Sequence, residues 1–156
     1  MPLSPLIAGI HDSLHRIYPS QPAVEDRRHT VLLARGERQS FQVALCWPQP
    51  SAMEVAVTIE VPAGLRCRVR RLGLVPVPTL NTGTPPDELD GIGHVPGLVP
   101  DPLLDDTRAV LSPWCTQVFW CTVEAAPDST PGKYPVTVLI SPVKGGKARK
   151  LRLVVE

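Results

Sequence analysis

Apolar and polar residues alternate with period two along most of the chain. Phe41, Val43, Leu45 and Trp47 alternate with Gln42, Ala44 and Cys46. Val55, Val57, Ile59 and Val61 alternate with Glu54, Ala56, Thr58 and Glu60, the mark of a half-buried strand. Tyr134, Val136, Val138 and Ile140 follow a Pro131-Gly132 pair suited to a type II turn, and Leu151, Leu153 and Val155 close the chain. Residues 30–34 and 67–75 add two more strands, and residues 117–123 are apolar on both faces. A first strand is expected at about residues 13–17, although Leu14, Ile17 and Tyr18 also fit a short helix. The count is about eight strands with short turns. Their apolar faces can cover each other only as two stacked sheets. The expected fold is all-β, a two-sheet antiparallel β-sandwich.

Composition sharpens this picture. A length of 156 residues suits one domain, residues 1–156. The 19 prolines are about twice the usual share and oppose long helices and central strands. Those at 76, 78, 85, 86, 96, 100, 102 and 113 fall within residues 76–113, which predicts one long proline-rich loop. Such loops are functional or disordered, and proline stiffens the chain. Ile92, Val95, Leu98, Val99, Leu103 and Leu104 imply that it packs on this domain's core or on a second domain. No apolar run reaches the roughly 18 residues of a membrane helix, and no basic start precedes an apolar core. No membrane contact is expected, and the default setting is cytoplasmic.

The net charge of +1 offers no general attraction to polyanions. On a strand, Arg66, Arg68 and Arg70 share one face while Cys67 and Val69 share the other. Without interleaved aromatics this reads as a solvated face rather than a nucleic-acid site. Cys46, Cys67, Cys115 and Cys121 form no C-x-x-C pair, and His11, His15, His29 and His94 fall in no zinc spacing. They are expected to be reduced, with Cys46–Cys121 and Cys67–Cys115 as geometrically open pairings. No metal and no cofactor is expected.

Catalytic signals are weak. There is no G-x-S-x-G elbow, and Gly91-Ile92-Gly93 opens no phosphate-binding unit. Asp87, Glu88, Asp90, Asp101, Asp105 and Asp106 lie in the proline-rich stretch 76–113 and read as turn formers and caps. No catalytic residue is expected. Trp120 shares a mixed strand face with Thr116, Val118, Thr122 and Glu124, opposite the apolar Phe119, Cys121 and Val123. It is expected under the long loop or a neighbouring domain. Stacking of Trp120 or Trp114 on a sugar ring is the alternative.

An ordered set of motifs runs through nearly the whole chain. It begins with Asp12-Ser13-Leu14, Ile17 and Pro19, then the stretch from Ala34 to Val43 with Gly36, Glu37, Phe41 and Gln42. Val99-Pro100-Asp101-Pro102-Leu103-Leu104 follows, then residues 117–123 and Asp128-Ser129-Thr130-Pro131-Gly132-Lys133-Tyr134. The set resembles the N-terminal β-sandwich domain of glycoside hydrolase family 123 and its uncharacterised relatives. The resemblance implies a non-catalytic accessory module ahead of a (β/α)8 barrel. It places the acidic pair for substrate-assisted hydrolysis of N-acetylgalactosaminides on that barrel, outside this chain. Gly36, Glu37, Phe41, Gln42, Gly132 and Tyr134 then take structural roles. Asp101, Pro102, Leu103, Leu104 and Trp120 become the expected contact with the barrel or another subunit. The alternative is a standalone assembly protein that self-associates or docks on a larger particle. Carbohydrate is a minor candidate partner.

Overall fold

The computed structural model describes residues 6–23 and 29–156. Among the described residues there are ten strands: β1 (Ile7–Asp12), β2 (His29–Val31), β3 (Arg38–Cys46), β4 (Met53–Glu60), β5 (Leu65–Val77), β6 (Gly97–Leu104), β7 (Arg108–Leu111), β8 (Thr116–Ala125), β9 (Tyr134–Pro142) and β10 (Arg149–Val155). They form two five-stranded sheets, β1-β3-β8-β5-β6 and β2-β10-β9-β4-β7. The all-β sandwich is therefore the fold. One pairing departs from the antiparallel rule, β2 running parallel to β10.

Strand parity places the core. Phe41, Val43, Leu45, Phe119, Cys121 and Val123 point from the first sheet toward Val55, Val57, Val136, Val138 and Ile140 of the second, all fully buried. Burying each large side chain stabilises the fold by ~1.5–3 kcal/mol. The same parity turns Arg66 and Arg68 outward and sends Cys67 and Val69 onto the core. Arg68 binds both carboxylate oxygens of Asp105, at 2.6 and 2.8 Å. The basic strand is thus partly neutralised by its own neighbours.

Three expectations are corrected. The first strand is Ile7–Asp12, not residues 13–17, because Asp12 Oδ1 accepts from the Leu14 and His15 amides and turns the chain there. The expected loop at residues 76–113 is a loop only between β5 and β6; beyond it lie β6 and β7. Pro100 and Pro102 suggest a loop, but β6 is an edge strand, the place where a sheet tolerates proline. Gly132 has φ 159°, nearly extended, so Pro131-Gly132 is not a type II turn.

All four cysteines are free thiols: Cys46 and Cys121 are buried, Cys67 is half-buried and Cys115 is exposed. Cys46 pairs with Thr116 on β8 and so faces away from the core that holds Cys121. That opposition rules out a Cys46–Cys121 bond in this fold. Burial pushes the Cys67 thiol up to about 11 and drives Cys121 well above its usual range.

Candidate functional site

The outer face of the first sheet carries a second, smaller apolar layer. Ala44, Cys46, Val118 and Leu72 on the sheet pack under Ile17 and Ala23 of the segment after β1. Sequence parity foresees an apolar inner face but not this cover. The cover is fixed by Gln42, which is only 1% exposed. Its Nε2 donates to the carbonyl oxygens of Asp12 and His15, at 2.8 and 2.6 Å.

The long loop joins the same cover. Tyr18 Oη donates to Asp90 Oδ1 at 3.1 Å, and Arg16 pairs with Asp90 Oδ2 at 3.0 Å. The Tyr18 ring stacks on His94, whose Nδ1 lies 3.0 Å from Ser20 Oγ. Burial, then the bond to Asp90, raises the Tyr18 pKa above its ordinary value. Gly91 closes this clasp with φ +91°. A Cβ there would sit 2.9 Å from Tyr18 Oη, so the loop reaches the tyrosine only because the residue is glycine.

Between cover, loop and β6 lies an open cleft of about 310 Å³. Gln42, Trp120 and Leu72 lie at its base on three neighbouring strands. Ser13, Leu14, His15 and Arg16 line one side, Asp90 comes from the loop, and Pro100, Asp101 and Leu103 come from β6. Among the described residues, neither the Asp101 carboxylate nor the Trp120 indole has a hydrogen-bond or ion-pair partner. Asp101 is exposed and Trp120 half-buried.

Of the five residues expected at a partner contact, Asp101, Leu103 and Trp120 line this one cleft. Pro102 and Leu104 do not line it: they pack over Gly73, whose Cβ direction is opposite to that of the cleft residue Leu72, and a Cβ there would meet Pro102 Cγ at 2.8 Å and Leu104 Cδ1 at 3.2 Å. The remaining motif residues are dispersed. Gly36 turns the chain with φ 71°, and Glu37 Oε2 accepts the Ala34 amide at 2.7 Å. Phe41 is in the core. Tyr134 Oη donates to the Thr130 carbonyl four residues upstream, the bond of a tyrosine corner.

Sequence reasoning missed Ser13, His15, Arg16, Tyr18 and His94 as members of the site. Asp12-Ser13-Leu14 and the glycine pair Gly91 and Gly93 mark the two turns involved. Neither signal says that the turns meet.

No protein-family profile and no curated protein matches the sequence. Among solved structures the chain is similar to a family 123 glycoside hydrolase from Clostridium perfringens, described for glycolipid glycan hydrolysis. The TM-score is 0.70 at 12% identity, over 98% of this chain and 27% of that one. It is also similar to a FixG-related protein from Vibrio parahaemolyticus, with TM-score 0.50, 6% identity, and 97% and 95% of the two chains covered. The native E. coli alpha-2-macroglobulin gives TM-score 0.50 and 11% identity over 98% of this chain and 7% of that one. At these identities the likeness is one of fold. The chain spans about a quarter of the length of the glycoside hydrolase.

Proposed function

We propose that the chain is a non-catalytic accessory β-sandwich, which packs against the catalytic barrel of a glycoside hydrolase. The observation that carries this reading is the match of 98% of the chain to 27% of the family 123 enzyme, at TM-score 0.70. A domain-sized match within a much longer protein is what an accessory module leaves. The ordered motifs of the sequence point to the same family independently.

The surface offered to the barrel is the outer face of β5 and β6 on the Pro76 and Leu98 side, beyond the cleft. Register puts Leu74 opposite Pro100 and Pro76 opposite Leu98. Leu74 and Leu98 are 38% and 48% exposed, an apolar strip suited to a domain boundary. Hydrolytic chemistry in this reading belongs to the barrel, and this chain supplies a rigid flank.

The reading frame beyond Glu156 tests the proposal, and a continuation with alternating strand and helix patterns is expected. A stop codon at that point overturns it. Sedimentation of the 156-residue chain across a concentration series is expected to show a monomer. Concentration-dependent growth would favour the self-assembling alternative instead.

A further inference from the structure

We infer that the cleft over Trp120 is a binding site for one neutral pyranose ring. This goes beyond the accessory reading and does not rest on it. A sugar ring is amphipathic, with C–H groups on its faces and hydroxyls around its edge. Its site therefore needs an apolar platform beside mixed donors and acceptors. The cleft has both. Trp120 sits at the base with Leu72 beside it, and Leu103 rises from β6. An indole offers a flat apolar face and one N–H donor, and that N–H has no partner among the described residues.

The polar side is mixed in character. Ser13 and His15 bring side chains with no internal hydrogen bond among the described residues, and Asp101 brings an unpaired carboxylate. Arg16 also lines the cleft but is held by Asp90 at 3.0 Å. With Arg16 engaged by Asp90 and no other arginine or lysine in the lining, the cleft offers no uncommitted cation to a phosphate or an acidic sugar. An isolated cation would waste the donors. A polyhydroxyl ring uses a carboxylate, a hydroxyl, an imidazole and an indole N–H together. The volume of about 310 Å³ lies at the small end for ligand sites, which sets the limit at one ring.

The walls are held before any ligand arrives. Gln42 ties residues 12–15 to the sheet, and the Tyr18–His94 stack ties the long loop to the same segment. A preformed site loses little entropy on binding.

The test is a two-dimensional NMR titration of the full chain with N-acetylgalactosamine, galactose and glucose, each through the millimolar range. Glucuronate and arginine methyl ester serve as charged comparisons. At least one neutral sugar is expected to move the Trp120 indole N–H resonance saturably, with little response to glucuronate. Trp120→Ala should weaken binding by about tenfold or more, and Asp101→Asn, which preserves shape, by several-fold. Trp114→Ala should leave it unchanged. Thermal melts confirm that each variant is folded. A flat response to all three sugars overturns the proposal, as does binding that survives Trp120→Ala in a folded variant. A saturable response to the arginine ester alone also overturns it, assigning the cleft to a protein side chain.

Discussion

The rings of Tyr18 and His94 stack with centroids 4.1 Å apart and planes 7° from parallel. One residue belongs to the segment after β1 and the other to the loop between β5 and β6. Their contact, with the Tyr18–Asp90 hydrogen bond, makes two irregular segments into one cover over the first sheet. The cover positions the cleft walls, so perturbing it should be felt at Trp120 without disturbing the sandwich core.

Gly91 and Gly93 separate strain from collision within this clasp. Both have positive φ, +91° and +81°, but a Cβ at Gly93 would meet nothing within 4 Å. At Gly91 it would meet Tyr18 Oη at 2.9 Å and Val95 Cγ2 at 3.1 Å. Gly93→Ala should cost ~1 kcal/mol from strain alone, and Gly91→Ala ~1–3 kcal/mol more. Urea denaturation of the pair measures the difference. Equal losses would show that Tyr18 is not the obstacle.

Gln42 gives a prediction with a pH sign. Its amide donates to two carbonyls, and Gln42→Ala leaves both unsatisfied at a cost of ~1–3 kcal/mol. Gln42→Glu retains a donor only when protonated. Protonation is then favoured in the folded state, which binds more protons than the unfolded one, so stability should rise as pH falls. Denaturation midpoints at acidic and at mildly alkaline pH, compared with the unmodified protein, test this. A variant equally stable at both would place Gln42 outside these bonds.

The thiols should react in order of access. Cys115 is exposed, while Cys67 is pushed up to about 11 by burial and Cys121 is 0% exposed. A thiol-reactive chromophore is expected to label one site rapidly in the native state and all four after unfolding, with Cys115→Ser removing the fast phase. The raised Cys67 value has a stability consequence. The folded state holds its proton longer than the unfolded chain, so this contribution is full below about 9 and is lost as pH rises toward about 11. Cys67→Ala should flatten the alkaline side of the stability profile.

Core and rim should differ sharply. Phe119 is fully buried between the sheets, whereas Leu14 is 96% exposed at the cleft edge. Phe119→Ala should cost ~3–5 kcal/mol, and Leu14→Ala should stay within ~0.5 kcal/mol. Chemical denaturation reads both.

Period-two alternation locates β3, β4, β9 and β10 because each has one face on a single continuous core, and β8 is located instead as a run apolar on both faces. β6 escapes that reading because Pro100 and Pro102 speak against a strand, and the strand survives by lying at an edge with only β5 beside it. Ile7–Asp12 escapes because the apolar residues after it, Leu14 and Ile17, have opposite fates: one is solvent-exposed, the other buried under the outer layer. Parity places Trp120 outside the main core, since its strand neighbours Phe119 and Cys121 claim the inner face. The two turns of the clasp have local signals, but their meeting has none. Tyr18, Asp90 and His94 meet through tertiary packing, and no periodicity in either segment encodes the other.

The prolines of β6 govern how this domain can be approached. Pro100 and Pro102 have no N–H to offer, to β5 or to any incoming chain. An extended segment laid along that edge would find its hydrogen-bond ladder interrupted twice within one strand. Backbone templating is therefore discouraged at a margin that exposes Leu98, Leu103 and Leu104. A partner must engage this margin through the shape of its side chains, which makes recognition here a matter of complementarity rather than of strand exchange.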